Sequence, residues 1–399
     1  MDEKERNRLL KRGVAEIIVE SEFVKLLDSG KPLRLKIGFD PSAPDIHVGH
    51  AVPLRKLRQL QDLGHKVVLI VGDWTAQIGD PSGRSQTRPM LTQAEVMANA
   101  ETYMAQFFKI IDREKTETRL QSEWFGSFNL ADVLKLTSRF TVAQFLARED
   151  YAKRYKANQP IAITELLYPL LQAYDSIAIE SDVEFGGTDQ KFNLLVGRDL
   201  QGMMGHRPQQ CFLMPLLPGT DGVQKMSKSL GNYIGIDEPA NDIYGKTMSL
   251  PDSMVIAYLE NVTDVPDDEL DEMKRATESQ TGDPMELKKR LARELVTQFH
   301  DADAARSAEQ HFERTVQRGE TPDDVPVFEL PTGSELDSKR LSEILVNAGL
   351  ASSSAEAKRL IDQGGVRIDD DPVPTNVAAS TLQAGSVLRA GRRRFVRLV

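Results

Sequence analysis

The chain has 399 residues, of which 40% are hydrophobic and 28% charged, and its net charge is −10 at pH 7. This length predicts two to four domains at roughly 100–200 residues each, and the acidic balance argues against nucleic-acid binding over the whole surface. The longest apolar run, Val67–Val71, is far shorter than the ~18 residues of a membrane span. The charged segment Asp2–Arg6 is unlike the apolar part of a secretory signal, and Cys211 has no second cysteine with which to pair. We therefore expect a soluble, multidomain, cytoplasmic protein without a membrane partner.

Up to about residue 240, short apolar runs alternate with amphipathic helical patterns. The runs predict strands at Leu33–Phe39, Val67–Val71, Ile177–Ile179 and Phe212–Leu217. The helical patterns lie near His50–Leu63, Thr92–Ile111, Thr164–Ala173 and Lys191–Leu200. Thr92 and Glu95 have the spacing of a capping box at a helix start. Strands separated by helices predict an α/β domain with a mainly parallel sheet that is covered on both faces.

The remainder of the chain predicts a helical segment, a linker and a small basic domain. Helical periodicity is found at Met254–Leu259, Asp268–Ala276 and Met285–Val316, and prolines and glycine break the pattern across 318–335. Residues 336–399 hold ten basic and seven acidic residues, a balance of +3, so the preceding part carries −13. Such asymmetry is typical of an acidic body with a nucleic-acid-binding end, although a solvated basic strand is the alternative.

A pair of histidines provides the first chemical signal. His47 and His50 are three residues apart, on one face of a helix that we expect to begin near Asp45, after a strand that ends at Asp40. A helix start at the carboxyl end of a strand favours phosphate binding, and Gly49 lets a ligand approach the backbone. A metal site or two structural histidines are the alternatives, but no further metal-ligand motif accompanies the pair.

The second signal is the segment Lys225-Met226-Ser227-Lys228-Ser229, which follows a glycine-containing loop. Two lysines on a loop after the last strand are suited to neutralising charge on a triphosphate, although a solvated basic turn has the same composition. The common phosphate loops, G-x-x-x-x-G-K-[ST] and G-x-G-x-x-G, do not occur. In this order around one α/β unit, the two motifs resemble the HIGH and KMSKS motifs of class I aminoacyl-tRNA synthetases. That resemblance implies a Rossmann-like catalytic domain.

Two intervening segments narrow the resemblance. Helical spacing places Tyr168, Gln172 and Asp175 on one face, where polar groups indicate either buried hydrogen bonds or a pocket wall. The second segment, Phe185–Asn193, contains paired glycines followed by Asp189 and Gln190. Together the segments resemble those of tyrosyl-tRNA synthetases, over essentially the whole chain. This family uses ATP to activate tyrosine as tyrosyl-adenylate, with release of pyrophosphate, and then transfers tyrosine to its tRNA.

The resemblance implies a role for each matching residue, with Mg²⁺ carried by the ATP and no metal site in the protein. The substrate ammonium would be held by Asp40, Asp80, Tyr168 and Gln172, its phenolic hydroxyl by Asp175 and its carboxylate by Gln190, with Thr75 lining the pocket. ATP would contact His47, Gly49, His50, Gly187, Asp189, Met226, Ser227 and Lys228. Catalysis would involve His47, His50, Lys225 and Lys228, assisted by Arg84 and Arg88.

One departure concerns the substrate hydroxyl. Many bacterial members have Tyr-Cys-Gly-Phe-Asp where this chain has Lys36-Ile37-Gly38-Phe39-Asp40, so the second partner of the hydroxyl is not identified. A site that hydrogen-bonds this hydroxyl rejects phenylalanine because its polar groups would go unpaired, and tyrosyl-tRNA synthetases are themselves the standard example.

The carboxyl-terminal segment resembles the small RNA-binding module named after a ribosomal protein of the small subunit. A helix with Lys358 and Arg359 ends at paired glycines, and Arg392, Arg393 and Arg394 lie near the end of the chain. These five residues would contact phosphates of tRNA(Tyr). The predicted division is a catalytic domain over 1–237 with a dimer-interface insertion around 124–157, a helical tRNA-side domain over 238–317, a linker over 318–335 and the RNA-binding α+β domain over 336–399.

The family also implies a homodimer, for which Phe125, Phe128, Phe140 and Phe145 are the predicted interface, with a core cluster as the alternative. Three other functions compete with a tyrosine-specific synthetase. A tryptophanyl-tRNA synthetase shares the fold, but Asp175 and the terminal module favour tyrosine. A nucleotidylyltransferase would not explain the terminal module. A non-catalytic scaffold would not explain why both histidines and both lysines are retained.

Overall fold

The computed structural model describes residues 2–42, 45–82, 91–318, 320, 325–331, 333–369, 371–373, 375–391 and 394–399. The chain forms two compact units, Met1–Phe299 and His300–Val399. In the described part of the chain, no helix combines the length and apolar character needed to cross a membrane.

The first unit is built on a six-stranded sheet with the order β1-β6-β5-β2-β3-β4. The strands are β1 (Glu16–Ile17), β2 (Arg34–Phe39), β3 (Lys66–Val71), β4 (Thr116–Leu120), β5 (Val183–Gly187) and β6 (Gln210–Met214). Only β1 is antiparallel to its neighbour among these described pairings. The chain runs outward from β2 to β4 and then returns to β5 on the other side of β2. The crevice beyond β2 and β5 is therefore the topological switch point, where ligands bind in open α/β sheets.

Helices connect these strands and continue beyond them. Those associated with the sheet are α1 (Glu3–Lys11), α2 (Glu20–Asp28), α3 (Val48–Asp62), α4 (Thr75–Ile78), α5 (Gln93–Phe107), α6 (Ser122–Phe125), α7 (Leu130–Thr137), α8 (Val142–Leu146), α9 (Glu149–Lys156), α10 (Ile163–Ala178) and α11 (Lys191–Met203). The following helices are α12 (Ala240–Met248), α13 (Val255–Val262), α14 (Asp267–Glu278) and α15 (Pro284–Phe299). The predicted capping box begins α5, where Glu95 N lies 3.3 Å from Thr92 Oγ1 and Thr92 N lies 2.9 Å from Glu95 Oε2.

Two predicted elements differ from the structure, and one strand was not predicted. Ile177 and Ala178 are the last residues of α10 and Ile179 is its C-cap, so this run is not a strand; three apolar residues are too short a pattern to distinguish a strand from a helix end. The strand in this part of the chain is β5, which does not form an apolar run because it contains Glu184 and two glycines. The predicted helix Met285–Val316 is interrupted after Phe299, since Asp301 caps a new helix by accepting from Ala304 N at 2.8 Å.

The second unit contains α16 (Ala302–Phe312), a π-helical turn (Glu313–Gln317), α17 (Ser334–Ser338), α18 (Leu341–Asn347) and α19 (Ser354–Asp362). Its strands are β7 (Val327–Phe328), β8 (Val366–Ile368), β9 (Asp371–Pro372), β10 (Val387–Ala390) and β11 (Arg394–Leu398), in the order β7-β11-β10-β8-β9. Leu341 and Ile344 of α18, Ile361 of α19 and Leu388 of β10 are buried in one apolar core. This part of the chain is therefore an α+β arrangement with a core of its own.

Candidate active site

Two histidines lie at the start of α3. His47 is the residue before the helix, and its backbone N–H donates to His50 Nδ1 over 3.2 Å. Their ring centroids are 4.0 Å apart, and His47 Nδ1 has no hydrogen-bond partner among the described residues. A Cβ on Gly49 would lie 2.9 Å from that Nδ1, so glycine is what allows the His47 ring to lie against the helix.

Both imidazoles are electrically neutral at pH 7. Removal from solvent, and then the nearby His50, Lys228 and Lys225, lower the pKa of His47 well below its usual value. Burial, followed by Lys225 and Lys228, lowers the pKa of His50 to about 4. A neutral imidazole next to two ammonium groups offers an N–H donor to an incoming phosphate without adding to the local positive charge.

The two lysines of the second motif face carboxylates around the same crevice. Lys225 Nζ lies 2.5 Å from Asp189 Oδ2, just beyond β5. Lys228 Nζ lies 3.5 Å from Asp45 Oδ2 and also donates to the Asp45 carbonyl. Between them Met226 is buried, and the Ser227 N–H donates to Asn232 Oδ1 at 2.8 Å. The loop thus brings two ammonium groups to the side of the crevice where the histidines lie.

Tyr168, Gln172 and Asp175 all lie on α10, where their spacing puts them on one face of the helix as predicted. The Tyr168 hydroxyl donates to Asp40 Oδ2 at 2.8 Å, and Thr75 Oγ1 donates to Asp40 Oδ1 at 2.7 Å. A Cβ on Gly72 would lie 2.2 Å from Asp40 Oδ1, so this close arrangement requires glycine there. Asp40, immediately after β2, is held by two neutral hydroxyl groups.

Asp175 is nearly inaccessible to solvent, with 2% exposure. Its Oδ2 accepts from Gln121 Nε2 at 2.9 Å, and its Oδ1 accepts from Trp124 Nε1 at 3.2 Å. Burial raises the pKa of Asp175 to about 7, while Lys36 and the Gln121 hydrogen bond act in the opposite direction. This carboxylate is therefore poorly solvated and suited to accept a further buried hydrogen bond.

A chain of amides extends from Gln172 across the crevice. Asn193 Nδ2 lies 3.1 Å from Gln172 Oε1 and 2.9 Å from Gln190 Oε1. Gln190 Nε2 in turn donates to Asp80 Oδ2 at 2.7 Å. The structure thereby joins Gln172, Gln190 and Asp80, three residues that the family resemblance assigns to the tyrosine site.

The remaining predicted residues lie elsewhere or outside the described part. Lys358 and Arg359 are exposed on α19, whereas Arg394 pairs with Glu356 at 3.0 Å. Arg84, Arg88, Arg392 and Arg393 lie outside the described residues.

Sequence reasoning missed Gln121, Trp124, Asn193 and the buried Lys36–Glu184 ion pair. Gln121 directly follows β4, a polar residue at the carboxyl end of a parallel strand, and that position is the signal that would have identified it. The predicted aromatic interface is wrong, because Phe125 and Phe145 are buried inside the chain and Phe128 and Phe140 pack against the same cores. The aromatic cluster is core.

Comparison with known proteins agrees with this geometry. Residues 28–317 match the model of class I tRNA synthetases (W and Y), and residues 339–374 match that of the S4 domain. A tyrosine–tRNA ligase of Dehalococcoides mccartyi is 58% identical over 397 residues, covering 100% of this chain and 99% of that protein. The chain belongs to the tyrosyl-tRNA synthetase family.

Other members of the tyrosyl-tRNA synthetase family are similar over the same length. The enzymes of Moorella thermoacetica and Thermotoga maritima are 51% and 49% identical, covering 98% and 100% of this chain and 95% and 98% of their own. Among solved structures, tyrosyl-tRNA synthetase from Archaeoglobus fulgidus complexed with L-tyrosine superposes with a TM-score of 0.63 at 24% identity, over 77% of this chain and 99% of that one. At that identity the structural likeness supports the fold alone.

Proposed function

We propose that the crevice beyond β2 and β5 is where this chain carries out the reaction of its family, which activates L-tyrosine with ATP and transfers it to the 3′ end of tRNA(Tyr). The observation that carries the proposal is the position of Asp175, a buried carboxylate on the same helix face as Tyr168 and Gln172. The Asp175 carboxylate can still accept one more hydrogen bond, and the phenolic hydroxyl of tyrosine can donate it. The phenyl ring of phenylalanine has no such donor, and the N–H of an indole lies at a different place on the ring.

The substrate ammonium is assigned to the other end of this pocket. Asp40 supplies the negative charge, and the oxygens of Tyr168, Gln172 and Asp80 complete the shell. Gln190 is assigned to the carboxylate, which is itself the nucleophile toward the α-phosphate, so no general base is needed. Thr75 holds Asp40 in place, which supports its assignment to the pocket wall.

Catalysis is assigned to positioning and charge neutralisation. His47 and His50 donate to the phosphates from the start of α3, where Gly49 leaves room for the nucleotide. Lys225 and Lys228 leave Asp189 and Asp45 to neutralise the charge that develops on the departing pyrophosphate. Asp189 and Gly187 then face the ribose, Met226 and Ser227 line the nucleotide, and Arg84 and Arg88 assist.

We assign Mg²⁺ to the nucleotide and not to a protein site. No cluster of three or more histidine, cysteine, aspartate or glutamate side chains with metal-binding geometry occurs in the described residues. Mg²⁺ commonly binds through substrate phosphates and water, and when bound it would neutralise phosphate charge.

The RNA-binding residues and the domain boundaries remain predictions. Exposed Lys358 and Arg359 within the S4-type segment support contacts to tRNA phosphates, and Arg392, Arg393 and Arg394 are assigned to the same surface. The domain boundaries at residues 237, 317 and 335 are proposed from the sequence pattern and the family resemblance. Because its tRNA substrate is used in translation, we place the enzyme in the cytoplasm.

We also propose a homodimer, formed through an apolar surface between residues 130 and 163. Leu130 and Ile163 are 73% and 74% exposed, and Leu134, Val142 and Tyr155 are exposed in the same segment. Contiguous exposed apolar patches mark protein–protein interfaces, and we propose that these five side chains form such a patch.

Aminoacylation of unfractionated tRNA tests the proposal. Tyrosine should be attached in an ATP-dependent reaction, whereas tryptophan and phenylalanine should not. Attachment of tryptophan in preference to tyrosine would contradict the proposal and show that the pocket is specific for tryptophan.

A further inference from the structure

A fully buried ion pair lies beneath the proposed tyrosine pocket. Lys36 of β2 and Glu184 of β5 have side-chain exposures of 0% and 1%, and Lys36 Nζ lies 2.9 Å from Glu184 Oε1. Lys36 Nζ also donates to Ser176 Oγ at 2.8 Å and to the Gln172 carbonyl at 2.7 Å. The Lys36 ammonium is therefore directed to the α10 backbone and to Glu184.

The pair contacts Gln172 at both its main chain and its side chain. Lys36 holds the carbonyl oxygen, and Glu184 Oε1 accepts from Gln172 Nε2 at 3.0 Å. The opposite end of the same amide, Oε1, accepts from Asn193 at 3.1 Å. An unbroken series of hydrogen bonds therefore connects Lys36, Glu184, Gln172, Asn193, Gln190 and Asp80.

The chemistry of Glu184 determines which end of the Gln172 amide faces the pocket. An ionised carboxylate only accepts hydrogen bonds, so it selects Nε2 as the end that faces Glu184 and turns Oε1 away. An ammonium ion in the pocket requires that oxygen, since Nε2 would repel it. A neutral partner at position 184 that can both donate and accept would remove this selection, and only the hydrogen bond from Asn193 Nδ2 would still favour the same orientation.

We propose that Lys36 and Glu184 are positioning residues for the tyrosine site, which fix the Gln172 amide so that its oxygen faces the substrate ammonium. Lys36 balances the charge of Glu184 in a place that water does not reach and anchors the main chain of Gln172 at the same time. The inference rests on the proposed assignment of Gln172 to the ammonium.

The test replaces the pair by apolar side chains of similar volume, Lys36→Met with Glu184→Met, because such replacements of buried ion pairs often preserve stability. Calorimetry then measures the binding of tyrosine, of tyramine, which keeps the ammonium, and of 3-(4-hydroxyphenyl)propionate, which lacks it. We expect affinity for tyrosine and tyramine to fall about tenfold, the effect of one hydrogen bond to a charged group, with no change for the propionate. An equal loss for all three ligands, or no loss for any, would overturn the inference.

A matched control is the Arg154–Glu165 ion pair, whose side chains are only 3% and 4% exposed and which has a 2.5 Å contact. Arg154→Met with Glu165→Met should leave the three affinities in their wild-type ratios. If the methionine variant of Lys36 and Glu184 does not fold, Lys36→Gln with Glu184→Gln serves instead. There an amide partner permits either orientation of Gln172, and the ammonium-dependent loss should be about twofold.

A separate variant distinguishes this inference from the site assignment. Gln172→Ala should itself lose affinity for tyrosine and tyramine but not for the propionate. If it does so and the ion-pair variants do not, the positioning role is wrong while the ammonium assignment holds. If Gln172→Ala shows no such selectivity, the assignment of Gln172 is wrong and the inference falls with it.

Discussion

The carboxylate of Asp175 accepts a hydrogen bond from the side-chain amide of Gln121, whose Nε2 lies 2.9 Å from Asp175 Oδ2. Gln121 Oε1 in turn lies 3.0 Å from Thr75 Oγ1, and that hydroxyl is 2.7 Å from Asp40 Oδ1. One glutamine therefore connects the group assigned to the phenolic hydroxyl with the group assigned to the ammonium. A substitution at either end of the pocket should therefore alter the hydrogen bonding at the other end through Gln121.

The pKa of Asp175 leads to a prediction about tyrosine binding. Burial raises this pKa to about 7, so at pH 6 most of the ligand-free protein carries a protonated Asp175. A phenolic hydroxyl that donates to Asp175 stabilises the ionised form, and binding should therefore release close to one proton at pH 6 and almost none at pH 8.5. Below pH 7 the affinity for tyrosine should fall, by about tenfold per pH unit at the steepest.

Calorimetry in buffers of different ionisation enthalpy measures this proton release. Asp175→Asn is the control, since its amide does not titrate and its residual binding should not depend on pH in this range. Proton release that is equal at pH 6 and pH 8.5 would show that the hydroxyl does not bind an ionised Asp175.

The histidine and lysine motifs should act in the transition state. We predict that His50→Ala or Lys228→Ala lowers the rate of adenylate formation by ~10²-fold or more and changes the dissociation constant of ATP by only a few fold. The reason is that the negative charge to be neutralised grows as pyrophosphate departs. Pre-steady-state measurement of tyrosyl-adenylate formation against ATP concentration separates the two quantities, and equal losses in both would contradict a role confined to the transition state.

The terminal module should serve tRNA and not adenylation. In the full-length protein, Lys358→Glu with Arg359→Glu should raise KM for tRNA at least about tenfold and leave pyrophosphate exchange unchanged, because each lost phosphate contact weakens binding electrostatically. Truncation near Glu335 should have the same selectivity and a larger effect. Charging at a normal KM after truncation would show that the module is not the docking site.

The apolar surface between residues 130 and 163 should hold two chains together. We predict that Leu134→Glu converts the dimer to a monomer, as measured by light scattering coupled to size-exclusion chromatography, because a charge at the interface would lose its hydration on association. Leu63→Glu, at another exposed leucine, is the matched control and should leave the mass unchanged. A monomeric wild-type protein, or a dimer that survives Leu134→Glu, would contradict the assigned interface.

Sequence periodicity was sufficient to predict those elements whose structure depends on a local pattern. β2 and β3 are apolar runs between helices, and Tyr168, Gln172 and Asp175 share a face because the helical repeat requires it. Periodicity did not predict features that depend on contacts between residues distant in sequence. β5 carries a buried charged residue, Glu184, whose partners Lys36 and Gln172 come from other elements of the fold, and Gln121 reaches Asp175 across 54 positions of sequence.

The four phenylalanines between residues 124 and 157 illustrate the same limit. Clustered phenylalanines have the same composition whether they face a partner or the interior, and here the structure turns them inward. The exposed apolar residues next to them, such as Leu130 and Ile163, were not distinguished in the sequence from ordinary core positions. The spacing of apolar residues in this region does not distinguish the buried positions from the exposed ones, because burial depends on how the whole chain folds.

The most direct test of the central claim is ATP–pyrophosphate exchange measured with each of the twenty amino acids, in the wild-type protein and in Asp175→Ala. We predict that tyrosine alone supports rapid exchange in the wild type, and that Asp175→Ala lowers kcat/KM for tyrosine by ~10²-fold or more and narrows the discrimination against phenylalanine. Rapid exchange with another amino acid in the wild type, or unchanged exchange and unchanged discrimination in Asp175→Ala, would contradict the account.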